Sequence, residues 1–212
     1  MDGTLLDTLD TIVESIKILA KRFNYDDIEA EKARDLVGRP AEYIISVIFN
    51  TRDTALIQEI KSAWIELFLD MIIKEKRARL FPDTINTLNW LKTTGMKIGI
   101  GSSLPRILIK ACIETFGITD FIDAYTGGDE VDKGKPEPDI FLKTAERLKV
   151  KPSEAVIIGD TLYDIEAGLK GGFITVLVDY YDRHDPEAID VKPHYYVKGI
   201  SELKHILAAV NT

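Results

Sequence analysis

The sequence predicts an α/β protein in which a parallel β-sheet core carries a small helical bundle near the N-terminus. Apolar residues in residues 9–76 recur at helical spacing without a strand pattern, whereas residues 79–212 alternate helical segments with short apolar runs. Strands that alternate with helices predict crossover connections, which produce a parallel sheet buried on both faces. A chain of 212 residues is long enough for one domain with an insertion, or for two small domains.

The predicted bundle consists of four consecutive helices. Residues 9–23 carry apolar side chains every three or four positions, which is typical of an amphipathic helix. A shorter helix over 28–37 is expected to stop at Gly38. Helices over 42–49 and 54–76 complete a set that is typical of a small helical bundle.

The predicted sheet is built from the rest of the chain. Its strands are expected at 96–101, 121–126, 155–159, 173–178 and 195–197. Its helices are expected at 84–94, 105–116, 138–148, 165–170 and 201–210. In such sheets, ligands bind beyond the carboxyl ends of the strands, so the residues that follow each strand are the first candidates for a site.

Polar side chains follow several of these strands. Ser102 and Ser103 follow one strand, Asp160 and Asp164 follow another, and Lys135 lies in the loop before a helix. A parallel sheet would bring these groups to one edge. The set suits a phosphate and Mg²⁺, because Mg²⁺ prefers oxygen ligands, a lysine offsets phosphate charge and a serine hydroxyl can donate to a phosphate oxygen.

Each residue has a simpler interpretation when it is taken alone. Ser102 could cap the next helix, Lys135 could be a solvated loop residue, and the two aspartates could be a cap and a surface charge. For any single residue, the simpler interpretation is favoured by roughly three to one. The set favours a site, because all its members fall at the same predicted edge.

These motifs resemble those of the haloacid dehalogenase (HAD) superfamily of phosphohydrolases. The resemblance covers nearly the whole chain and rests on four segments, which are Asp2-Gly3-Thr4-Leu5, Ser102 after residues 97–101, Lys135 within Gly-Lys-Pro-Glu-Pro-Asp-Ile-Phe, and Gly159-Asp160-Thr161-Leu162-Tyr163-Asp164. It implies a Rossmann-like, HAD-like core formed by residues 1–8 and 79–212. It also implies a helical cap over residues 9–78, as in the group that resembles phosphoglycolate phosphatase and β-phosphoglucomutase.

The resemblance further implies Mg²⁺-dependent hydrolysis of small phosphomonoesters through an aspartyl-phosphate. Asp2 would be the acid and base, Thr4 and Ser102 would hold phosphate oxygens, and Lys135 would steady the phosphate. Metal ligands would come from Asp2, Asp160 and Asp164. Contacts to the substrate are expected from Gly38, Arg39 and Ser103, although a surface position for Arg39 is an equally favoured interpretation.

The family's nucleophile would stand directly before Met1, so we expect a preceding apolar strand that ends in Asp, lying between strands 155–159 and 96–101. Two alternatives stay open. One is a phosphomutase of the β-phosphoglucomutase type, which uses the same core residues. The other is a non-catalytic relative that binds phosphate and Mg²⁺ without turnover.

Composition narrows the expected partners. The net charge of −8 argues against a nucleic-acid binder, because phosphate contacts along a nucleic acid need a basic face. No apolar run is long enough for a membrane span. Cys112 is the only cysteine, so no internal disulfide can form, and a reducing, cytoplasmic location is expected. The expected partner is a small phosphorylated metabolite, and the expected state is a monomer or homodimer.

Overall fold

A computed structural model of the chain describes residues 1–25 and 28–210, with side chains described up to residue 207. Four helices come first, as the apolar spacing predicts: α1 (Leu9–Arg22), α2 (Ala30–Leu36), α3 (Ala41–Ile48) and α4 (Thr54–Ile73). Within the described residues, no helix is both long and apolar enough to cross a membrane.

The helices of this segment pack through their apolar faces. The longest, α4, lies against α1 and α3, while α2 bridges α1 and α3. Ile12 and Ile16 of α1 and Phe68 of α4 are buried in the shared core. Burial of each such side chain contributes roughly 1.5–3 kcal/mol. Asp53 begins α4 by accepting hydrogen bonds from the backbone N–H groups of the first turn, which is the usual role of an N-cap aspartate.

A short antiparallel ribbon joins the two ends of this helical segment. Strand β1 (Leu6–Asp7) pairs with β2 (Arg79–Leu80), with Leu6 opposite Leu80. A strand of two residues is too short to show an alternation of apolar and polar side chains, so the sequence analysis predicted neither β1 nor β2. The ribbon brings the chain into and out of the four helices at the same place.

The remaining strands are parallel and match the predicted order. They are β3 (Gly99–Ser102), β4 (Ala124–Gly127), β5 (Val156–Gly159), β6 (Ile174–Val178) and β7 (Tyr195–Val197). The remaining helices are α5 (Thr84–Thr93), α6 (Arg106–Thr115), α7 (Asp139–Leu148), α8 (Leu162–Lys170) and α9 (Leu203–Val210). Strand β3 pairs with β4, and β5, β6 and β7 form a second sheet in that order. In the described residues, strand pairing does not join the two sheets. The expectation of a strand between them concerns positions before Met1 and stays a prediction.

Element boundaries differ from the sequence prediction where capping decides them. The predicted strand 96–101 is four residues long and runs one residue further, to Ser102, and helix α8 begins at Leu162 instead of residue 165. The earlier start has a clear cause. Thr161 Oγ1 accepts a hydrogen bond from the backbone N–H of Asp164, and the Asp164 carboxylate accepts one from the N–H of Thr161. This reciprocal capping box satisfies two N–H groups at the start of the helix.

We propose that residues 9–78 form a cap and that residues 1–8 with 79–212 form a core domain. The continuous run of four helices between the two strands of the ribbon supports this division. The two parts are in contact, because α4 packs on α6 and one hydrophobic cluster extends from the cap helices to Leu108 and Ile109 of α6.

Candidate active site

The N-terminal turn lies against Asp160 at the end of β5. The carbonyl of Met1 accepts hydrogen bonds from the N–H groups of the next turn, which curls residues 2–5 tightly. Gly3 has a φ of +66°, and a Cβ at this position would lie only 2.0 Å from Asp160 Oδ2, so only glycine fits here. Thr4 Oγ1 is 3.4 Å from Asp160 Oδ1 and donates to it. The turn therefore places Asp2 and Thr4 beside the carboxylate of Asp160.

The side chain of Asp2 is held at the edge of the site. Its Oδ1 accepts a hydrogen bond of 2.8 Å from the hydroxyl of Thr8, which directly precedes α1. The Asp2 side chain is half-buried, and it lines the same cavity as Asp160. This contact restricts the orientation of the carboxylate without neutralising its charge.

A buried ion pair lies behind Asp160. Lys135 Nζ donates to Asp164 Oδ1 at 2.7 Å, and only 7% and 8% of the two side chains are exposed. Burial by itself raises the pKa of Asp164, but the Lys135 ammonium outweighs this and holds that pKa below its usual value. The second oxygen, Asp164 Oδ2, accepts from both the N–H and the hydroxyl of Thr161. Both carboxylate oxygens of Asp164 are thus occupied by protein groups.

Asp160 differs from Asp164 in its electrostatics. Burial raises the pKa of Asp160, and the neighbouring Asp164 carboxylate raises it further. The nearest described cation is Arg183, whose Nη1 is 3.9 Å from Asp160 Oδ2. Lys135 and Arg183 offset part of this rise, but among the described residues no cation is hydrogen-bonded to the Asp160 carboxylate, which leaves it able to bind one.

The serines that follow β3 face this cluster. Ser102 is buried, and its hydroxyl oxygen accepts from the N–H of Leu104, which leaves its O–H free to point elsewhere. Ser103 Oγ donates a hydrogen bond of 2.8 Å to the carbonyl of Gly38 in the helical segment. One serine thus lines the polar end of the cavity, and the next contacts the turn above it.

The turn after α2 lies over the site. Gly38 has a φ of +102°, and a Cβ there would lie 3.0 Å from the side chain of Thr161. The Arg39 guanidinium lies between two aromatic rings, 4.6 Å from the Tyr43 ring centre and 4.4 Å from that of Tyr163. Arg39 Nε is buried and has no hydrogen-bond partner among the described residues. Arg39 is therefore not a plain surface arginine.

Three further residues, Asp179, Arg183 and His184, lie at the site and were not among the residues predicted from the sequence. Asp179 follows β6, is buried, and accepts hydrogen bonds from the N–H groups of Arg183 and His184. It thereby folds the following loop back towards β5. His184 Nε2 then donates to the carbonyl of Asp160 at 3.0 Å. The sequence feature that could have identified these residues is their position in the loop that follows the predicted strand 173–178, at its carboxyl end.

One cavity joins the sequence-predicted residues. Its polar end is lined by Asp2, Ser102, Ser103, Lys135, Asp160 and Asp164, and its other end by apolar side chains of the helical segment. Gly38 and Arg39 lie on its wall. Thr4 reaches the cluster through its hydrogen bond to Asp160. The structure thus brings all the sequence-predicted residues to one place, and their chemical roles stay predictions.

The donor set at the polar end fits Mg²⁺. This ion is usually held by one or two carboxylates, with water and substrate phosphate completing its shell. Asp160 supplies a buried carboxylate to which no cation among the described residues is hydrogen-bonded. Among the described residues, no group of three or more His, Cys, Asp and Glu side chains is close enough to form a complete metal cage. The arrangement therefore suits a metal that shares its ligands with a phosphate.

Comparison with known proteins is consistent with this site. A phosphoglycolate phosphatase from Nitrosococcus oceani is 25% identical over 98% of this chain and 94% of its own length. A candidate pyrophosphatase PpaX from Clostridium perfringens is 29% identical over 100% of this chain and 96% of its own. A solved structure of a candidate haloacid dehalogenase-like hydrolase from Bacteroides fragilis superposes with a TM-score of 0.87 at 26% identity, covering 96% of both chains.

The family model described as haloacid dehalogenase-like hydrolase matches residues 1–178, which include the N-terminal turn, the four helices and the loop after β5. With that match over most of its length, and with the turn, serine, lysine and aspartates gathered at one sheet edge, the chain belongs to the haloacid dehalogenase-like hydrolase family.

Proposed function

We propose that this chain is a phosphatase that hydrolyses small phosphomonoesters with Mg²⁺ through an aspartyl-phosphate. The observation that carries the proposal is the convergence of Thr4, Ser102, Lys135 and Asp160 around the polar end of one cavity. The names of the relatives from Nitrosococcus oceani and Clostridium perfringens support phosphate-ester or phosphoanhydride hydrolysis. The reaction converts a phosphate ester and water into an alcohol and inorganic phosphate.

In this proposal the phosphate is held by hydroxyl and ammonium groups. Ser102 donates to one of its oxygens, Thr4 turns its O–H from Asp160 to another, and Lys135 offsets its charge. The buried ion pair with Asp164 already holds the Lys135 ammonium in one position, so little side-chain entropy is lost when the phosphate binds. Preorganised donors of this kind stabilise the charge that develops in a transition state.

Proton transfer is assigned to Asp2. It protonates the leaving oxygen of the ester and later takes a proton from the water that hydrolyses the aspartyl-phosphate. Its hydrogen bond from Thr8 keeps the carboxylate at the edge of the cavity in both steps. The nucleophile of the family pattern is assigned to an aspartate at the position directly before Met1, outside the printed sequence.

Mg²⁺ would be held by the carboxylate of Asp160 and the backbone carbonyl of Asp2, with Asp164 adjacent to the metal shell. When bound, it would supply positive charge that offsets the phosphate and the nearby carboxylates. His184 and Asp179 fix the loop after β5 through the Asp160 carbonyl, so they position this ligand indirectly.

The cap completes the site in this proposal. Gly38 and Arg39 contact the substrate from the cap, and Ser103 holds the Gly38 carbonyl to the core. Closure of such a cap excludes bulk water from the reaction. The partner is a small phosphorylated metabolite.

A phosphate-release assay tests the proposal. The 212-residue chain and a form extended by a short apolar strand that ends in Asp are given a panel of small phosphate esters with Mg²⁺. We expect the extended form to release phosphate, and removal of Mg²⁺ with EDTA to abolish release. In the extended form, Asp2→Asn should lower the rate by about 10²–10⁴, the usual worth of a general acid, without changing the melting temperature.

Other results would contradict the proposal in identifiable ways. An isomerised sugar phosphate without net phosphate release would indicate a phosphomutase. Binding of phosphate and Mg²⁺ without turnover in both forms would indicate the non-catalytic relative. Full activity of Asp2→Asn would remove Asp2 from the proton-transfer role.

A further inference from the structure

The cavity beyond the polar cluster is lined by apolar side chains of the cap. We define the apolar chamber by six residues: Ile12, Ile16, Ile45, Ile48, Phe49 and Trp64. They come from α1, α3, the residue after α3, and α4. All six are at least nine-tenths buried. The chamber and the phosphate end belong to one continuous cavity of about 80 Å³.

The few polar atoms near the chamber are already satisfied. Trp64 Nε1 donates a hydrogen bond of 2.9 Å to Ser15 Oγ, and Ser15 Oγ donates to the carbonyl of Ile12 at 2.6 Å. The indole and the hydroxyl therefore have no donor left for a ligand in the chamber. Water needs two to four polar partners to be stable in a cavity, so this end of the site favours an apolar occupant.

The chamber has a firm end wall. The Phe49 ring packs edge-to-face against Tyr25 at 4.8 Å and against Phe23 at 6.3 Å. Such aromatic pairs hold a ring in one orientation. The whole cavity, with its polar end included, has a volume of about 80 Å³, about half of the roughly 150 Å³ that accommodates benzene in an engineered cavity, so the chamber itself is smaller still. The occupant is therefore short.

Two cations line the cavity, Lys135 at the polar end and Arg39 in the turn after α2, and Arg39 favours a different ligand. Arg39 Nε has no partner among the described residues, so it could receive a second anionic group of the substrate. However, this guanidinium packs against the rings of Tyr43 and Tyr163, which restricts its position, and the neighbouring Gly38 contacts Ser103 and Thr161 at the polar end. Arg39 is thus tied to the phosphate side of the cavity, and the six residues of the chamber carry no charge.

We infer that the substrate is a phosphomonoester of a short apolar alcohol, whose alkyl group occupies the apolar chamber. This inference rests on the proposed function, because it names the substrate class of the same site. An alcohol with a carboxylate or further hydroxyl groups would lose its hydration in the chamber without gaining hydrogen bonds.

Binding of phosphonates, which cannot be hydrolysed at the carbon–phosphorus bond, tests the inference independently of turnover. Methyl-, ethyl-, propyl- and butylphosphonate are titrated by calorimetry into the 212-residue chain with Mg²⁺. The Kd should fall about threefold to fourfold for each added methylene that enters the chamber. The heat-capacity change of binding should become more negative along the series, as expected for burial of apolar surface.

Two polar probes separate the alternatives. 3-Hydroxypropylphosphonate has the length of butylphosphonate but ends in a hydroxyl, and it should bind at least about tenfold more weakly. Phosphonoacetate carries a carboxylate that could pair with Arg39. If phosphonoacetate binds more tightly than propylphosphonate, or if Kd does not depend on chain length, or if no phosphonate binds, the inference is wrong.

A pair of cap variants locates the alkyl group. Ile45→Thr places a hydroxyl in the chamber wall, whereas Ile60→Thr makes the same change at an equally buried cap residue that does not line the cavity. Ile45→Thr should weaken butylphosphonate about fivefold to tenfold and methylphosphonate less than about twofold. Ile60→Thr should change neither. Equal effects of both variants would contradict the assignment.

The measurement also distinguishes this inference from the proposed function. If the alkyl series is observed but no ester is hydrolysed by either form of the chain, the chamber assignment is supported and the hydrolysis is refuted. If esters are hydrolysed but polar esters are preferred, the hydrolysis stands and the chamber assignment is wrong. If Ile45→Thr does not fold, the series on the unmodified chain still decides the matter.

Discussion

Replacing Asp164 by asparagine should lower the free energy of unfolding by about 3–5 kcal/mol, the usual cost of removing one partner of a buried ion pair. The Lys135 Nζ–Asp164 Oδ1 distance is 2.7 Å, and neither side chain is more than 8% exposed, so the remaining ammonium would stay buried without its hydrogen-bonded counter-ion. If the asparagine oxygen replaces Oδ2 and keeps the Thr161 bond, its NH₂ group faces the lysine, and two donors then oppose each other. The expected loss is a large part of a typical stability of about 5–15 kcal/mol.

Thermal and urea unfolding without added divalent metal measure this loss. For a chain of this length, the melting temperature should fall by about 6–20 °C. Asp70→Asn is the matched control, because Asp70 pairs with Lys74 at 2.8 Å but the two side chains are 53% and 72% exposed. That change should cost less than about 0.5 kcal/mol.

A double variant tests the physical reason. Lys135→Met combined with Asp164→Asn should cost less than the sum of the two single changes, because neither member of the ion pair is then left buried without the other. Since the pKa of Asp164 is lowered in the folded state, its share of stability is present above its unfolded pKa, about 3.9, and is lost as pH falls below that value. If Asp164→Asn costs no more than Asp70→Asn, the reasoning is refuted.

Three further predictions concern other parts of the chain. Hydrogen bonds from two arginines lower the pKa of Glu130 to about 2, so its contribution, about 1–2 kcal/mol after allowance for solvent screening, should vanish as pH falls from about 4.5 to 2. Glu130→Gln should lack that dependence, and an unchanged acid titration of stability would contradict the assignment. Gly38→Ala combines a φ of +102° with a 3.0 Å approach to a core side chain, so it should be more destabilising in thermal unfolding than Gly95→Ala, where φ is +79° and no atom lies within 4 Å. Equal melting temperatures of the two variants would rule this out. Burial raises the pKa of Cys112, so iodoacetamide should not modify the native protein at pH 8 but should modify it in urea, as mass spectrometry can show. Rapid alkylation of the native protein would be inconsistent with this burial.

Local patterns in the sequence were sufficient for the order of elements and for the members of the polar cluster. Helical spacing predicted the four cap helices, and apolar runs predicted the five parallel strands, because hydrophobic periods report directly which face of an element is buried. Ser102, Lys135, Asp160 and Asp164 could be grouped because parallel strands bring their carboxyl ends to one edge.

Tertiary packing decided how those residues are used. The resemblance named both Asp160 and Asp164 as metal ligands, but only the structure shows that Lys135 and Thr161 occupy both oxygens of Asp164, whereas no cation among the described residues is hydrogen-bonded to Asp160. The placement of Arg39 between Tyr43 and Tyr163 joins a cap turn to a core helix across more than a hundred residues. The apolar chamber is likewise formed by side chains of three helices. Distances and burial of this kind arise from contacts between segments that are remote in the chain. The spacing of apolar residues within one segment therefore does not predict them.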